Sequence, residues 1–239
     1  MSRLHTPKAG FLIRLCVVVL YPVNSMLFRI RFRNLDRVPA VGGVILAANH
    51  NSYADTIFMA RLVWQAGRLP RFLIKSNLFT KPGLRIVLRS TRQIPVNRGS
   101  ADAAQSLHEA MAALDRGECV IIYPEGTITR DPDWWPMRAK TGVARLALMA
   151  PDIPVLPVAQ WGTQFVLDTR RRRFRPLPRK TATASVGPAV DLSAYRGAEP
   201  TADVLRGLTD EIMQAITAEL ADLRGEPVPP GPADIEPAA

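Results

Sequence analysis

Short apolar runs ending in polar clusters alternate with helical periods along about 150 residues, and that alternation predicts one α/β domain. The predicted fold is a mixed central sheet flanked by helices, preceded by an N-terminal membrane-associated helical segment. Two further observations bound it. An apolar stretch edged by arginines stands before the domain, and a proline-rich stretch follows it. The expected division is a membrane-interface segment over 1–33, the α/β domain over 34–224 and a disordered tail over 225–239, where five prolines and three acids fall in fifteen residues.

The first stretch, from Phe11 to Phe28, is mostly apolar but is interrupted by Arg14, Pro22, Asn24 and Ser25. A spanning helix needs about 20 apolar residues with few charges, so this one falls short. No small-residue cleavage site follows it, which argues against a signal peptide. Arg29, Arg31 and Arg33 come next, and seven Lys+Arg face one acid, Asp36, over the first 40 residues. A helix lying in the membrane interface with arginines at headgroup depth is the preferred reading. An amphipathic helix packed on the core is the alternative.

Within the domain, Gly42-Gly43 opens the run Val44 to Ala48, short enough for a buried strand. Asp55 to Val63 reads as a helix, Arg71 to Ile74 as a strand, and Leu78 to Leu88 as a helix with an early Pro82. Ile94-Pro95-Val96 leads to Asn97-Arg98-Gly99. Ser100 is suited to cap a helix whose apolar residues Ala104, Leu107, Met111 and Leu114 keep helical spacing, and Gly117 ends it. Cys119 to Tyr123 is a buried strand, Thr141 to Met149 a helix, and Val155 to Val158 a strand. Ala182 to Val186 is predicted as an edge strand, with Pro188 soon after. Val204, Leu205, Leu208, Ile212, Ile216 and Leu220 form one stripe of a long helix from Ala202 to Leu223.

Charge narrows the partners. The 239-residue chain carries 31 Lys+Arg against 21 Asp+Glu, a formal +10, which suits a polyanion: nucleic acid, an anionic membrane or a phosphorylated small molecule. Aromatic residues are 7% and no nucleic-acid-binding signature appears, so nucleic acid is set aside. Cys16 and Cys119 sit in apolar runs and frame no disulfide. His5, His50 and His108 are too scattered for a metal site, and none is expected.

Three clusters carry chemistry. In open α/β sheets ligands gather at strand C-terminal ends. At the first such end stands Asn49-His50-Asn51-Ser52-Tyr53-Ala54-Asp55. A tight turn into a helix can bring the Asp55 carboxylate to the His50 ring, where it would fix the tautomer and leave the outer nitrogen free to take a proton. The second is Tyr123 to Arg130, where Gly126 permits a sharp turn and Thr127, Thr129 and Arg130 offer donors to an anion. Asn97-Arg98-Gly99-Ser100, at a helix start, suits a phosphate.

These blocks make the sequence resemble the 1-acylglycerol-3-phosphate acyltransferase family of membrane-bound glycerolipid acyltransferases. Asn49, His50 and Asp55 match its His-x4-Asp block, Arg98 its arginine after a short strand, and Tyr123 to Thr127 its aromatic-Pro-Glu-Gly-Thr run, with Arg130 beyond. Val155 to Val158 matches its late strand with Pro157. The likeness covers roughly 33–190. Ile128 and Thr129 depart from the basic residue and Ser often found after the block's Thr, and Asp133-Trp134-Trp135-Pro136 is an unusual loop for a polar site.

The resemblance implies transfer of an acyl group from acyl-CoA or acyl carrier protein, as co-substrate and with no cofactor, to the free hydroxyl of a lysophospholipid. The expected acceptor is 1-acylglycerol-3-phosphate and the product phosphatidic acid. Another lysophospholipid or glycolipid acceptor, or a non-catalytic basic lipid-binding protein, is the alternative. It implies His50 as base and Asp55 as its orienting partner. Asn49, Arg98, Glu125, Gly126, Thr127, Arg130 and Lys140 are the expected substrate-binding residues, with Glu125 positioning an arginine or backbone donors. Lys140 stays open between an oxyanion or phosphate partner and an ordinary surface lysine. The Arg170–Arg173 run stays open between a solvated loop, anionic headgroups and the CoA phosphates, and Trp134 and Trp135 between the interface and the core. A peripheral enzyme on the cytoplasmic face of the cell membrane is the expected setting.

Overall fold

The computed structural model describes residues 10–97 and 102–231. Seven strands form one sheet: β1 (Phe28–Arg33), β2 (Val44–Ala48), β3 (Pro70–Lys75), β4 (Ile94–Val96), β5 (Cys119–Ile122), β6 (Val155–Trp161) and β9 (Lys180–Val186). Their order is β1-β9-β6-β2-β5-β3-β4. Neighbours run parallel except β6 and β9, so β1 and β9 oppose the other five and the sheet is mixed as predicted. Two short strands, β7 (Leu167–Asp168) and β8 (Arg173–Phe174), make a separate hairpin.

The strand pleat divides the core. Ile45 and Ala47 of β2 face a layer shared with Val120, Ile122 and Val155, covered by α4 (Asp102–Asp115), α5 (Gly142–Met149) and α6 (Ala202–Arg224). Val44, Leu46 and Ala48 face the opposite layer with Cys119, Ile121 and Leu156, covered by α2 (Ala54–Gln65). A central strand buried on both sides has no reason to alternate, which is why β2 reads as an unbroken apolar run. Burying a side chain such as Leu46 contributes about 1.5–3 kcal/mol.

Three sequence expectations are corrected. The run FRIRFR is strand β1, with Phe28, Ile30 and Phe32 turned inward and Arg29, Arg31 and Arg33 exposed, so the boundary drawn after Arg33 falls after the sheet has begun. Its period-2 alternation is that of a half-buried strand, not of headgroup arginines on a helix. Because β1 covers its outer side, β9 is interior to the sheet and not an edge. The helix expected from Leu78 to Leu88 is instead a 3-10 turn, Ser76–Thr80, followed by α3 (Leu84–Ser90). Pro82, without an N–H, and Gly83 at φ +76° break it. Ser100 and Arg98 lie outside the described residues, as do residues 1–9 of the N-terminal segment and 232–239 of the tail.

The N-terminal helix α1 (Phe11–Leu27) packs against α2 through the Tyr21 carbonyl and Ser25 hydroxyl, both bonded by Arg61, whose guanidinium lies 4.6 Å from the Tyr21 ring. Its inner side, with α2, β3 and α3, encloses an apolar cavity of about 220 Å³ walled by Ile13, Val17, Leu20, Ile57, Phe72 and Val87. Its other side exposes Phe11, Leu15, Val18, Val19, Val23 and Met26. The helix therefore packs on the core and also presents an apolar face outward. Among the described residues no helix is long and apolar enough to cross a membrane.

Candidate active site

Parallel pairing of β2 with β5 sets the site. Ala47 pairs with Ile122, so three residues beyond that pair His50 stands beside Glu125. The His50 Nδ1 lies 3.1 Å from Asp55 Oδ2, with the His50 side chain 12% exposed and that of Asp55 fully buried. The same Oδ2 accepts the amides of Asn51 at 2.6 Å and Ser52 at 2.8 Å, and Oδ1 accepts the Thr163 hydroxyl. A carboxylate only accepts, so His50 Nδ1 carries the proton and Nε2 is left as an acceptor without a protein partner among the described residues. The dyad expected from sequence is formed, and the side chain and turn of one seven-residue segment form it.

The ring is fixed on its face as well. Tyr123 stacks on His50 with centroids 4.2 Å apart and planes 17° from parallel. Phe72, a wall of the apolar cavity, stacks in turn on Tyr123 at 6.4 Å. The cavity is thus two ring contacts away from His50. Burial pushes the Tyr123 phenol upward, and its enclosed hydroxyl lies beside Gln160 and Thr56 without reaching hydrogen-bonding geometry.

Several expected substrate binders prove to be internal ties. Glu125 is fully buried, and its carboxylate accepts the amides of His50 at 3.1 Å and Met137 at 3.0 Å. It positions backbone donors and cannot itself touch a ligand. Burial raises its carboxyl to about 8, against the opposing pull of those two hydrogen bonds. Asn49 is also fully buried and binds Gln160 of β6 through both side-chain atoms, so it joins strand ends. Thr129, read as an anion donor, is buried with its amide on the His50 carbonyl and its hydroxyl on the Trp135 carbonyl.

Other predicted residues remain within reach of a ligand. Gly126 turns at φ +70°, the left-handed conformation that glycine adopts without steric cost, and it and Thr127 are half-buried. Arg130 is exposed, with a guanidinium unpaired among the described residues. The Lys140 amide donates to the Pro124 carbonyl, which sets its backbone beside the Glu125-Gly126 turn.

Features with no local sequence signal complete the site. Thr163 reaches Asp55 across 108 positions. The Trp134-Trp135 loop is clamped by arginines from afar: Arg170 stacks on Trp134 at 3.3 Å, and Arg224, at the end of α6, lies 4.0 Å from the Trp135 ring and 4.4 Å from that of Trp161. Trp134 holds φ +67°, a strained conformation for a bulky residue, while Asp131 Oδ1 accepts the flanking amides of Asp133 and Trp135. Both tryptophans are therefore half-buried, arginine-capped loop residues and not part of the core. Among the described residues no group of acids, histidines and cysteines could hold a metal.

Known proteins resemble the chain in sequence and in fold. The sequence profile of the Acyltransferase family matches residues 29–161, more than half of the chain. The 1-acyl-sn-glycerol-3-phosphate acyltransferase of Bacillus subtilis (strain 168) is 26% identical over 152 residues, covering 62% of this chain and 71% of that one. The N-acylphosphatidylethanolamine synthase of Arabidopsis thaliana is 30% identical over 171 residues, covering 65% of this chain and 58% of the plant protein. In three dimensions, the crystal structure of the 1-acyl-sn-glycerophosphate (LPA) acyltransferase from Thermotoga maritima superimposes with a TM-score of 0.65 at 21% identity, over 90% of this chain and 80% of that one, a likeness of fold.

Proposed function

Because the chain belongs to the Acyltransferase family, in company with the 1-acyl-sn-glycerol-3-phosphate acyltransferases, we propose that it moves a fatty acyl group from an acyl thioester to the free hydroxyl of 1-acylglycerol-3-phosphate, giving phosphatidic acid. The observation that carries this reading is the His50–Asp55 pair, with Nδ1 held by a saturated carboxylate and Nε2 open. His50 Nε2 takes the hydroxyl proton as the oxygen attacks the thioester carbonyl. The new C–O bond forms, the C–S bond breaks, and the proton passes from the imidazolium to the departing thiolate. Asp55 holds the ring and stabilises its cationic form.

An acyl-enzyme is not part of this route. The Cys119 thiol is buried within β5 and pushed up to about 12, and the Ser52 hydroxyl donates to the Leu167 carbonyl. The acceptor's phosphate is assigned to Arg130 and Arg98, with Gly126, Thr127 and Lys140 shaping the turn beside it. The apolar cavity behind Phe72 suits a fatty acyl chain. The outward face of α1 would rest on the cytoplasmic surface of the cell membrane, where both substrates are met.

A second acceptor is favoured by one finding. A relative that bears the name N-acylphosphatidylethanolamine synthase matches at 30% identity, so the amine of phosphatidylethanolamine belongs in the same test. The experiment is thiol release from acyl-CoA, and from acyl carrier protein, in the presence of a panel of lysophospholipids and phosphatidylethanolamine. Release that depends on lysophosphatidate supports the reading. Release with another acceptor alone moves the assignment to that lipid, and no acceptor-dependent release with either donor refutes it.

A further inference from the structure

We propose that the β7–β8 hairpin is a second docking element for an anionic lipid surface, separate from α1 and tied to the His50 loop. The arginine run that it carries divides into two kinds. Arg170 is committed inward, over Trp134 and on the Asp131 carbonyl. Arg171 is committed to Asp168, 3.7 Å away. Arg172, Arg173 and Arg175 are exposed and make no ion pair or side-chain hydrogen bond among the described residues.

Apolar groups interleave with those free cations. Phe174 is 60% exposed and Leu177 77%, with Phe165 also uncovered at the hairpin's base. A solvated charge face has no use for bare Phe and Leu, and an apolar protein contact has none for three unpaired guanidiniums. A bilayer surface satisfies both, with phosphates for the arginines and the headgroup–acyl boundary for the rings and chains. The CoA phosphates would engage the cations and leave Phe174 and Leu177 in water.

Hydrogen bonds connect this tip to the site. Ser52 Oγ donates to the Leu167 carbonyl at 2.7 Å, and the Tyr53 amide donates to Thr169 Oγ1 at 3.2 Å, so the hairpin holds the two residues that lie two and three places past His50. Beyond the hairpin, Arg179 donates to the carbonyls of Ser25 and Phe28 and so joins the same segment to the end of α1. Docking of the hairpin would therefore bring the His50 loop against the lipid surface.

The proposal rests on the lipid-substrate reading for its purpose, but its test needs no turnover. Sedimentation of the full chain with phosphatidylcholine vesicles, with and without phosphatidylglycerol, measures docking directly. The triple variant Arg172→Ser/Arg173→Ser/Arg175→Ser should partition roughly 100-fold less onto the anionic vesicles. Lysine at the same three positions should restore most of the binding, which a misfolded hairpin would not allow. Phe174→Ser/Leu177→Ser should weaken binding to both vesicle types. Unchanged anionic binding by the triple serine variant overturns the proposal. A chain that docks as expected but releases no thiol with any acceptor sinks the assigned activity and leaves the docking element standing.

Discussion

The His50 loop and the β7–β8 hairpin touch through two hydrogen bonds, yet they are built on opposite terms. In the first, all four oxygens of the two buried acids are claimed: Asp55 Oδ2 by His50, Asn51 and Ser52, Asp55 Oδ1 by Thr163, Glu125 Oε1 by the His50 amide and Oε2 by that of Met137. In the second, three guanidiniums and three apolar side chains lie open. A proton-transfer pair gains from fixed geometry and excluded water, so saturation suits it. A surface that meets a fluid lipid layer gains from long side chains free to find phosphates. The difference between the regions is the one expected between the groups proposed for the chemistry and those proposed to meet the lipid surface.

The largest expected effect tests the saturated region. His50→Ala should lower kcat by roughly 10²–10⁴ with vesicle sedimentation unchanged. Near-normal turnover in a folded variant would break the comparison, because the open region would then be doing the chemistry. Next comes Thr163→Val, which keeps the shape and strips one bond from Asp55. Loss of that bond should reduce kcat roughly 10- to 100-fold with little change in either KM, and cost about 1–3 kcal/mol in a denaturant titration. A fall in stability with kcat untouched would make Thr163 a fold residue only.

Arg130→Ala sharpens the boundary between the two regions. Removing an unpaired guanidinium should raise the acceptor KM about tenfold and leave that of acyl-CoA unchanged. Equal changes in both would take Arg130 out of the phosphate site. The remaining effect is on stability against pH and leaves the proposed chemistry untouched. The Glu125 carboxyl is raised on folding from 4.5 to about 8, so the folded state holds the proton more tightly than the unfolded chain. Its contribution is present below about 4.5 and lost as pH rises to about 8. Glu125→Gln should flatten that slope in thermal melts taken across the window, and an unchanged slope would place its origin elsewhere.

Much of this could be read along the chain, because its causes are local. A strand buried on both faces shows as an apolar run, as Val44 to Ala48 does, and a helix facing one layer shows as a stripe, as in Ala202–Arg224. The His50–Asp55 pair was legible for the same reason, since five positions and one turn suffice to form it. The FRIRFR alternation is equally visible, but it runs on from the apolar stretch before it without a break. Only its pairing with β9, 152 positions further on at Phe28 and Lys180, makes it a strand.

Tertiary structure alone decided what depends on distant partners. Sequence marks Glu125 and Asn49 as polar residues at strand ends, which is also how ligand contacts look. Burial beneath Met137 and against Gln160 turns them inward. That Arg170 of the 170–173 run is turned inward depends on where Trp134 stands. Thr163 and Arg224 carry no signal at all until β6 and α6 are packed beside the loops they hold. The chain itself determined the fold class, the order of elements and the His50–Asp55 contact, because periodicity and short-range turns obey local rules. Which polar groups are sealed and which stay open was settled by contacts between residues tens to more than a hundred positions apart, which no local rule encodes.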